Sequence, residues 1–152
     1  MRNNLIKELK LYFDIRELIC QDVWNKFKEN SWQFLSTELL STLLILRKVI
    51  FNKPIIVNTW HKGGQFSQRG LRCNMCALVN NKKSVYVSAH ILGKAIDFNV
   101  LGLSTETVYE LIRENINKFE YPIRIEITSG DWNHIDVYQP YNSNKKLIEF
   151  KS

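Results

Sequence analysis

Cysteine is scarce in this 152-residue chain. Three are present, an odd number and too few for a disulfide framework, which fits a reducing compartment. Proline is equally rare, with three, and glycine numbers six, so collagen-like and low-complexity readings fall away and no flexible linker divides the chain. Long apolar runs are missing as well. The best stretch, residues 39–51, is broken by Ser41, Thr42, Arg47 and Lys48 and falls short of the ~18–20 residues that span a bilayer. Arg2, Lys7, Glu8 and Lys10 interrupt the first ten residues, so no secretory signal is expected there. Acidic residues are absent from residues 61–90, where Lys62, Arg69, Arg72, Lys82 and Lys83 contribute +5 of the formal net charge of +6. The other 122 residues carry 16 basic and 15 acidic side chains, so the imbalance belongs to one central segment.

Hydrophobic residues at 45% and charged residues at 24% exclude a disordered chain and supply one core of ordinary size. A single domain over 1–152 is expected. Leu5, Leu9, Tyr12 and Phe13 recur at helical spacing, and Ile15, Leu18, Ile19, Val23, Trp24 and Phe27 continue it. Ser36 or Thr37 caps a third helix, which Asn52 and Pro54 stop. The β-branched run 55–57 reads as a buried strand, and residues 61–81 as a long irregular loop of the kind that carries function. Further strands are expected over 85–87, 95–100, 123–128 and 132–138. Ser104 caps a helix running to about residue 118, and residues 129–131 turn the last two strands into a closing hairpin. Helices followed by strands indicate an α+β fold with a mainly antiparallel sheet.

Chemistry concentrates around the histidines. His90 stands seven residues before Asp97 in SAHILGKAID, with Gly93 permitting a tight bend between them and small Ala95 leaving room. His134 lies in DWNHID, three residues after Asp131 and two before Asp136. Two imidazoles and a carboxylate are the donor set of a catalytic zinc, which takes three protein ligands and keeps one position open.

SAHILGKAID matches, position for position, the S-x-H-x-x-G-x-A-x-D signature of the zinc D-Ala-D-Ala carboxypeptidases. That family includes phage L-alanyl-D-glutamate endopeptidases and shares its fold with hedgehog signalling domains. DWNHID resembles its second motif, and STELLSTLLILRKVIFNKPIIVNTW resembles the helix and strand that lead into its active-site loop. The likeness spans residues 34–138; residues 1–33 form a helical N-terminal extension outside it.

The resemblance implies a hedgehog/DD-peptidase-like fold with N-terminal helices on the sheet, and zinc held by His90, Asp97 and His134. It gives Asp131 the general base's place. It also implies an arginine in the preceding loop to stabilise the oxyanion; QRGLR offers Arg69 and Arg72, and Arg69 is favoured because Gly70 follows it. Arg72, Ser88 and Trp132 are then candidates for contacting substrate. Asp136, on one strand face with His134, is either a further ligand or a carboxylate orienting an imidazole, and the second role suits its place in the motif. Glu126 is a rival base, and His61 is read as facing substrate or solvent. The lone pair Cys73 and Cys76 is either half a structural zinc site, a redox pair, or two small side chains pinning the loop; the last is preferred.

The implied activity is zinc-dependent hydrolysis of the peptide stems of bacterial peptidoglycan, whose carboxylates suit the cationic loop. The alternative is a non-catalytic module of the same fold. Neither a membrane nor a nucleic-acid partner is expected, since the cations have no helical spacing and no accompanying motif. Lacking a visible secretory signal, the enzyme would reach the wall by phage-directed release or in a virion.

Overall fold

The computed structural model describes residues 1–127 and 130–151. Helix α1 (Arg2–Leu9) opens the chain and is followed by α2 (Ile15–Leu18) and α3 (Gln21–Phe27). The long period expected over 15–27 is thus broken: Ile19 and Cys20 take extended backbone, and α2 is closed at its start by a capping box in which Asp14 and Glu17 exchange bonds. A 3₁₀ segment, Lys28–Phe34, leads to α4 (Thr37–Ile45). Ser36 is its cap, its hydroxyl accepting the Leu39 amide. The last turn, Leu46–Ile50, widens to a π-helix, and Asn52 leaves it at φ 47°, a conformation asparagine tolerates.

Five strands form one mixed sheet: β1 (Ile55–Ile56), β2 (Ala95–Val100), β3 (Ile123–Glu126), β4 (Asn133–Asp136) and β5 (Leu147–Phe150). Their order is β1-β2-β4-β3-β5, antiparallel throughout except for β3 beside β5. The mixed helix-and-sheet class and the antiparallel bias therefore agree with the sequence. A four-residue helix, α5 (Ala77–Asn80), interrupts the long loop. Helix α6 (Thr105–Glu114), capped by Ser104, precedes β3 and ends earlier than expected, with Ile116–Lys118 forming a 3₁₀ turn.

Two expectations need correction. Residues 85–87 are not a strand: Val85 and Val87 are largely exposed and no ladder pairs them. β-branched residues favour strands only where a pleated surface packs against them, and here none does. The sheet is also not closed by the β3–β4 pair, because β5 adds on beyond β3. Of the expected 129–131 turn, Ser129 lies outside the described residues, as does Thr128 at the end of the expected strand.

Strand alternation gives the sheet two unlike faces. Ile96, Phe98, Val100, Ile123, Ile125 and Ile135 join Leu39, Leu40, Leu43, Val108 and Ile112 in one buried apolar cluster. Register places Asp97, His134, Glu126, Arg124 and Asp136 together on the other face.

The N-terminal extension belongs to this unit. Leu9, Phe13, Ile15, Leu18 and Ile19 are buried in the same core, and Arg2 donates to the Thr37 hydroxyl and to the carbonyls of Trp32 and Leu35. Ile19 and Leu71 form a parallel bridge, in which the Leu71 amide donates to Leu18 and the Cys20 amide to Leu71. Asn58 also donates through its amide to the Glu17 carbonyl.

Candidate metal centre

Asp97 on β2 and His134 on β4 are directly paired across the ladder, which puts both side chains on one face at close range. His90 reaches them from the loop because Gly93 turns the chain at φ 66°. A Cβ on Gly93 would lie 1.9 Å from the Phe34 carbonyl oxygen, so only glycine fits there. Ala95, fully buried, begins the strand beneath. The donor atoms of His90, Asp97 and His134 all lie within 4.8 Å of one another, and all three side chains are largely buried.

The hydrogen bonds determine which nitrogen each histidine offers. His90 Nδ1 lies 2.9 Å from the Gly70 carbonyl oxygen, which only accepts, so Nδ1 is the donor there and Nε2 is the nitrogen that faces Asp97 Oδ2, at 3.3 Å. His134 Nε2 donates to Asp136 Oδ2 at 2.9 Å, leaving Nδ1 facing Asp97 Oδ1 at 2.8 Å. Asp136 is held as a carboxylate by Arg124, whose Nε and Nη2 reach its two oxygens at 2.8 and 2.9 Å. Arg124 lies between the rings of Tyr138 and Phe150, with its guanidinium carbon 4.8 and 4.5 Å from their centres.

The electrostatics follow from these contacts. Burial favours neutral carboxyls, yet His134 and His90 hold Asp97 well below the usual carboxylate range. Asp136 is likewise lowered against burial by His134 and Arg124. Burial alone would depress His134, but its bonds to Asp136 and Asp97 raise it to about 9. A cation placed among the three donors would replace the proton that bridges His134 Nδ1 and Asp97. The donor set therefore fits a metal ion, with two nitrogens oriented by Gly70 and Asp136 and one carboxylate oxygen.

Two clefts border this group. One, of about 310 Å³, is lined by Phe66, Arg69, Arg72, Leu78, Asp97 and Trp132 among others. Arg72 Nη2 lies 3.1 Å from Asp97 Oδ2 and its Nε donates to the Gln68 carbonyl. Arg69 donates to Asn99 Oδ1 at 2.7 Å and rests on the Phe66 ring. Gly70 between them leaves no space for a side chain, since a Cβ would meet the Leu18 carbonyl oxygen at 2.1 Å. The other cleft, of about 390 Å³, contains Ser88, His90, Glu126, His134, Asp136 and Tyr138.

Asp131 is exposed at the turn before β4, and its backbone carbonyl accepts the Asn99 side-chain amide at 2.6 Å. It lines neither cleft, whereas Glu126, opposite His134 in the register, lines the second. Trp132, partly exposed, borders the first cleft beside both arginines. Only those two of the five cations in residues 61–90 line either cleft. Lys62 and His61 line a separate hollow with Asp14 and Glu17, and Lys82 stacks on Tyr86. His61 is thus apart from the metal group.

Sequence reasoning missed Arg124, Tyr138 and Phe150; the alternation of 123–126 was a signal that Arg124 shares a face with Glu126, but its carboxylate partner depends on the ladder. It also missed that Cys20 lies beside Cys73 and Cys76. No family model matches the chain, and no curated protein or solved structure is significantly similar to it.

Proposed function

We propose that this chain is a zinc-dependent peptidase that hydrolyses the peptide stems of bacterial peptidoglycan, with a hedgehog/DD-peptidase-like fold. The observation that carries the proposal is the buried His90–Asp97–His134 group, with both imidazoles oriented through their second nitrogen. Two nitrogens and one carboxylate oxygen are a donor set of catalytic zinc. The resemblance of SAHILGKAID and DWNHID to the zinc D-Ala-D-Ala carboxypeptidases and L-alanyl-D-glutamate endopeptidases supports the substrate class.

When bound, zinc supplies a Lewis acid and lowers the pKa of water from 15.7 to about 7. The chain's own side chains do the rest. Arg69 and Arg72 present two cations in the cleft beside Asp97, where a stem carboxylate or a developing oxyanion is stabilised; Arg69 takes the oxyanion and Arg72 orients substrate. Trp132 borders the same cleft and packs on the stem, while Ser88 lines the other one. The resemblance gives Asp131, just before His134, the task of accepting a proton from the attacking water and returning it to the leaving amine. Asp136 and Arg124 keep His134 in the tautomer whose Nδ1 points at Asp97.

Glu126 is the competing base, because it lines a cleft with both histidines. The deciding experiment incubates the purified, zinc-loaded chain with defined muropeptides and identifies the fragments by mass spectrometry. Loss of a terminal D-Ala or a cut between L-Ala and D-Glu is expected. Stoichiometric zinc without any cleavage would make the chain a non-catalytic wall-binding or virion module instead.

A further inference from the structure

The three cysteines, separated by up to 56 positions in the sequence, converge on one point of the fold. Cys20 sits in the extended link between α2 and α3, while Cys73 and Cys76 belong to the long loop. The Sγ atoms of Cys20 and Cys73 are 3.6 Å apart and those of Cys73 and Cys76 are 4.0 Å apart, with all three within 4.8 Å of one another. No pair is joined covalently.

We infer that Cys20, Cys73 and Cys76 form a second metal site, a thiolate site for a zinc-like d¹⁰ cation, distinct from the histidine group. The spacing carries the argument. Thiolates ~2.3 Å from a tetrahedral zinc stand about 3.8 Å apart, between the two separations seen here. Local geometry agrees: the C-x-x-C segment turns back so that the Cys73 amide donates to Cys76 Sγ at 3.4 Å, and the Cys76 amide donates to the Cys73 carbonyl. Such amide-to-sulfur bonds stabilise negative charge on a thiolate, as carbonyl and carboxylate partners orient a ligating histidine.

Cys20 and Cys76 are buried, and Cys73 lines a hollow with Val23, Leu71 and Ile91 as well as Arg72 and Asn74. Each thiol gives up its proton to solvent on binding, so three thiolates and one divalent ion carry a net charge of −1. No fourth His, Cys, Asp or Glu joins the set among the described residues, so the fourth coordination position falls to water or an added ligand.

The site would act as a clamp. Cys20 follows Ile19, whose bridge to Leu71 ties the N-terminal segment to the loop, and Leu71 lies between Gly70 and Arg72 of the histidine centre. A metal joining Cys20 to Cys73 and Cys76 therefore reinforces the stretch that carries both arginines and the carbonyl acceptor of His90.

The test uses the reduced, metal-stripped full chain and cobalt(II) as the probe. Binding should produce a sulfur-to-cobalt charge-transfer band in the near ultraviolet, which nitrogen and carboxylate ligands do not give, and Cys20→Ser should weaken it by about a third or more or abolish it. In parallel, wild-type chain is alkylated with and without zinc, in enough urea for the metal-stripped chain to expose its thiols, and the modified cysteines are counted by mass spectrometry. Zinc should protect all three, a readout that does not depend on a variant folding. Absence of the band in wild type, equal alkylation with and without zinc, or a full band in folded Cys20→Ser would each overturn the site.

Discussion

Arg124 grips both carboxylate oxygens of Asp136, and that carboxylate receives the Nε2 proton of His134. The charge on β3 therefore determines which nitrogen of His134 turns toward Asp97. Replacing Arg124 with Met should lower zinc affinity at the histidine centre about 10- to 100-fold, the usual cost of losing an outer partner of a metal ligand. Chelator competition measures this, with zinc counted separately at the thiolate group. Asp136→Ala should be harsher, costing about 3–5 kcal/mol in urea unfolding because it strands a partly buried guanidinium and a buried imidazole. An unchanged affinity in Arg124→Met would detach the outer pair from metal binding.

His90→Ala removes one of three donors while leaving the apolar side of the sheet untouched. Zinc at that centre and peptidase activity should disappear together, with the far-ultraviolet spectrum retained. Retention of the full wild-type zinc content would refute the ligand assignment.

The two candidate bases separate cleanly by substitution. Asp131→Asn should reduce kcat about 10²- to 10⁴-fold with zinc still bound, the range for loss of a positioned general base. Glu126→Gln should change kcat less than about tenfold. The opposite ranking would move the base to the cleft that Glu126 shares with His90 and His134.

Gly93→Ala tests the bend between His90 and Asp97. A left-handed φ costs a side chain about 1–3 kcal/mol, and the Phe34 carbonyl must also move to admit a Cβ. Urea unfolding should show a loss of at least that size, and zinc affinity should fall as His90 shifts.

Acid stability gives a further check at the N-terminus. Asp14 is held down from 3.8 to about 2, mainly by its bond to Arg16, with burial opposing. Its folded pKa is depressed, so its contribution is present above pH 3.8 and is lost as the pH falls through about 2. Asp14→Asn should therefore flatten the dependence of unfolding free energy on pH in that window. A slope identical to wild type would remove Asp14 from the acid limb.

What could be read from the sequence was mostly local. Strand β2 coincides with its expected residues because Ala95 to Val100 alternate between an apolar core and a polar face, and Ser36 and Ser104 cap helices as their positions suggest. His90, Asp97 and His134 were suggested by residue type and spacing and singled out by the resemblance of their two motifs. Features that depend on distant partners were not. The run 85–87 has strand composition but meets no sheet edge, while β5 has Lys145 and Lys146 before it and pairs only because β3 offers a free edge. Cys20 carries no local sign of its neighbours, since the extended stretch at Ile19 that delivers it is held by Leu71 on the far side of the chain.

The bridge between Ile19 and Leu71 divides the long connection at mid-span. A free loop of that length would behave as a swinging arm, sweeping its arginines through solvent and losing that freedom at each encounter with substrate. Pinned by backbone on both sides of Leu71, the segment is instead a braced beam, and the ordering is already complete when the protein folds.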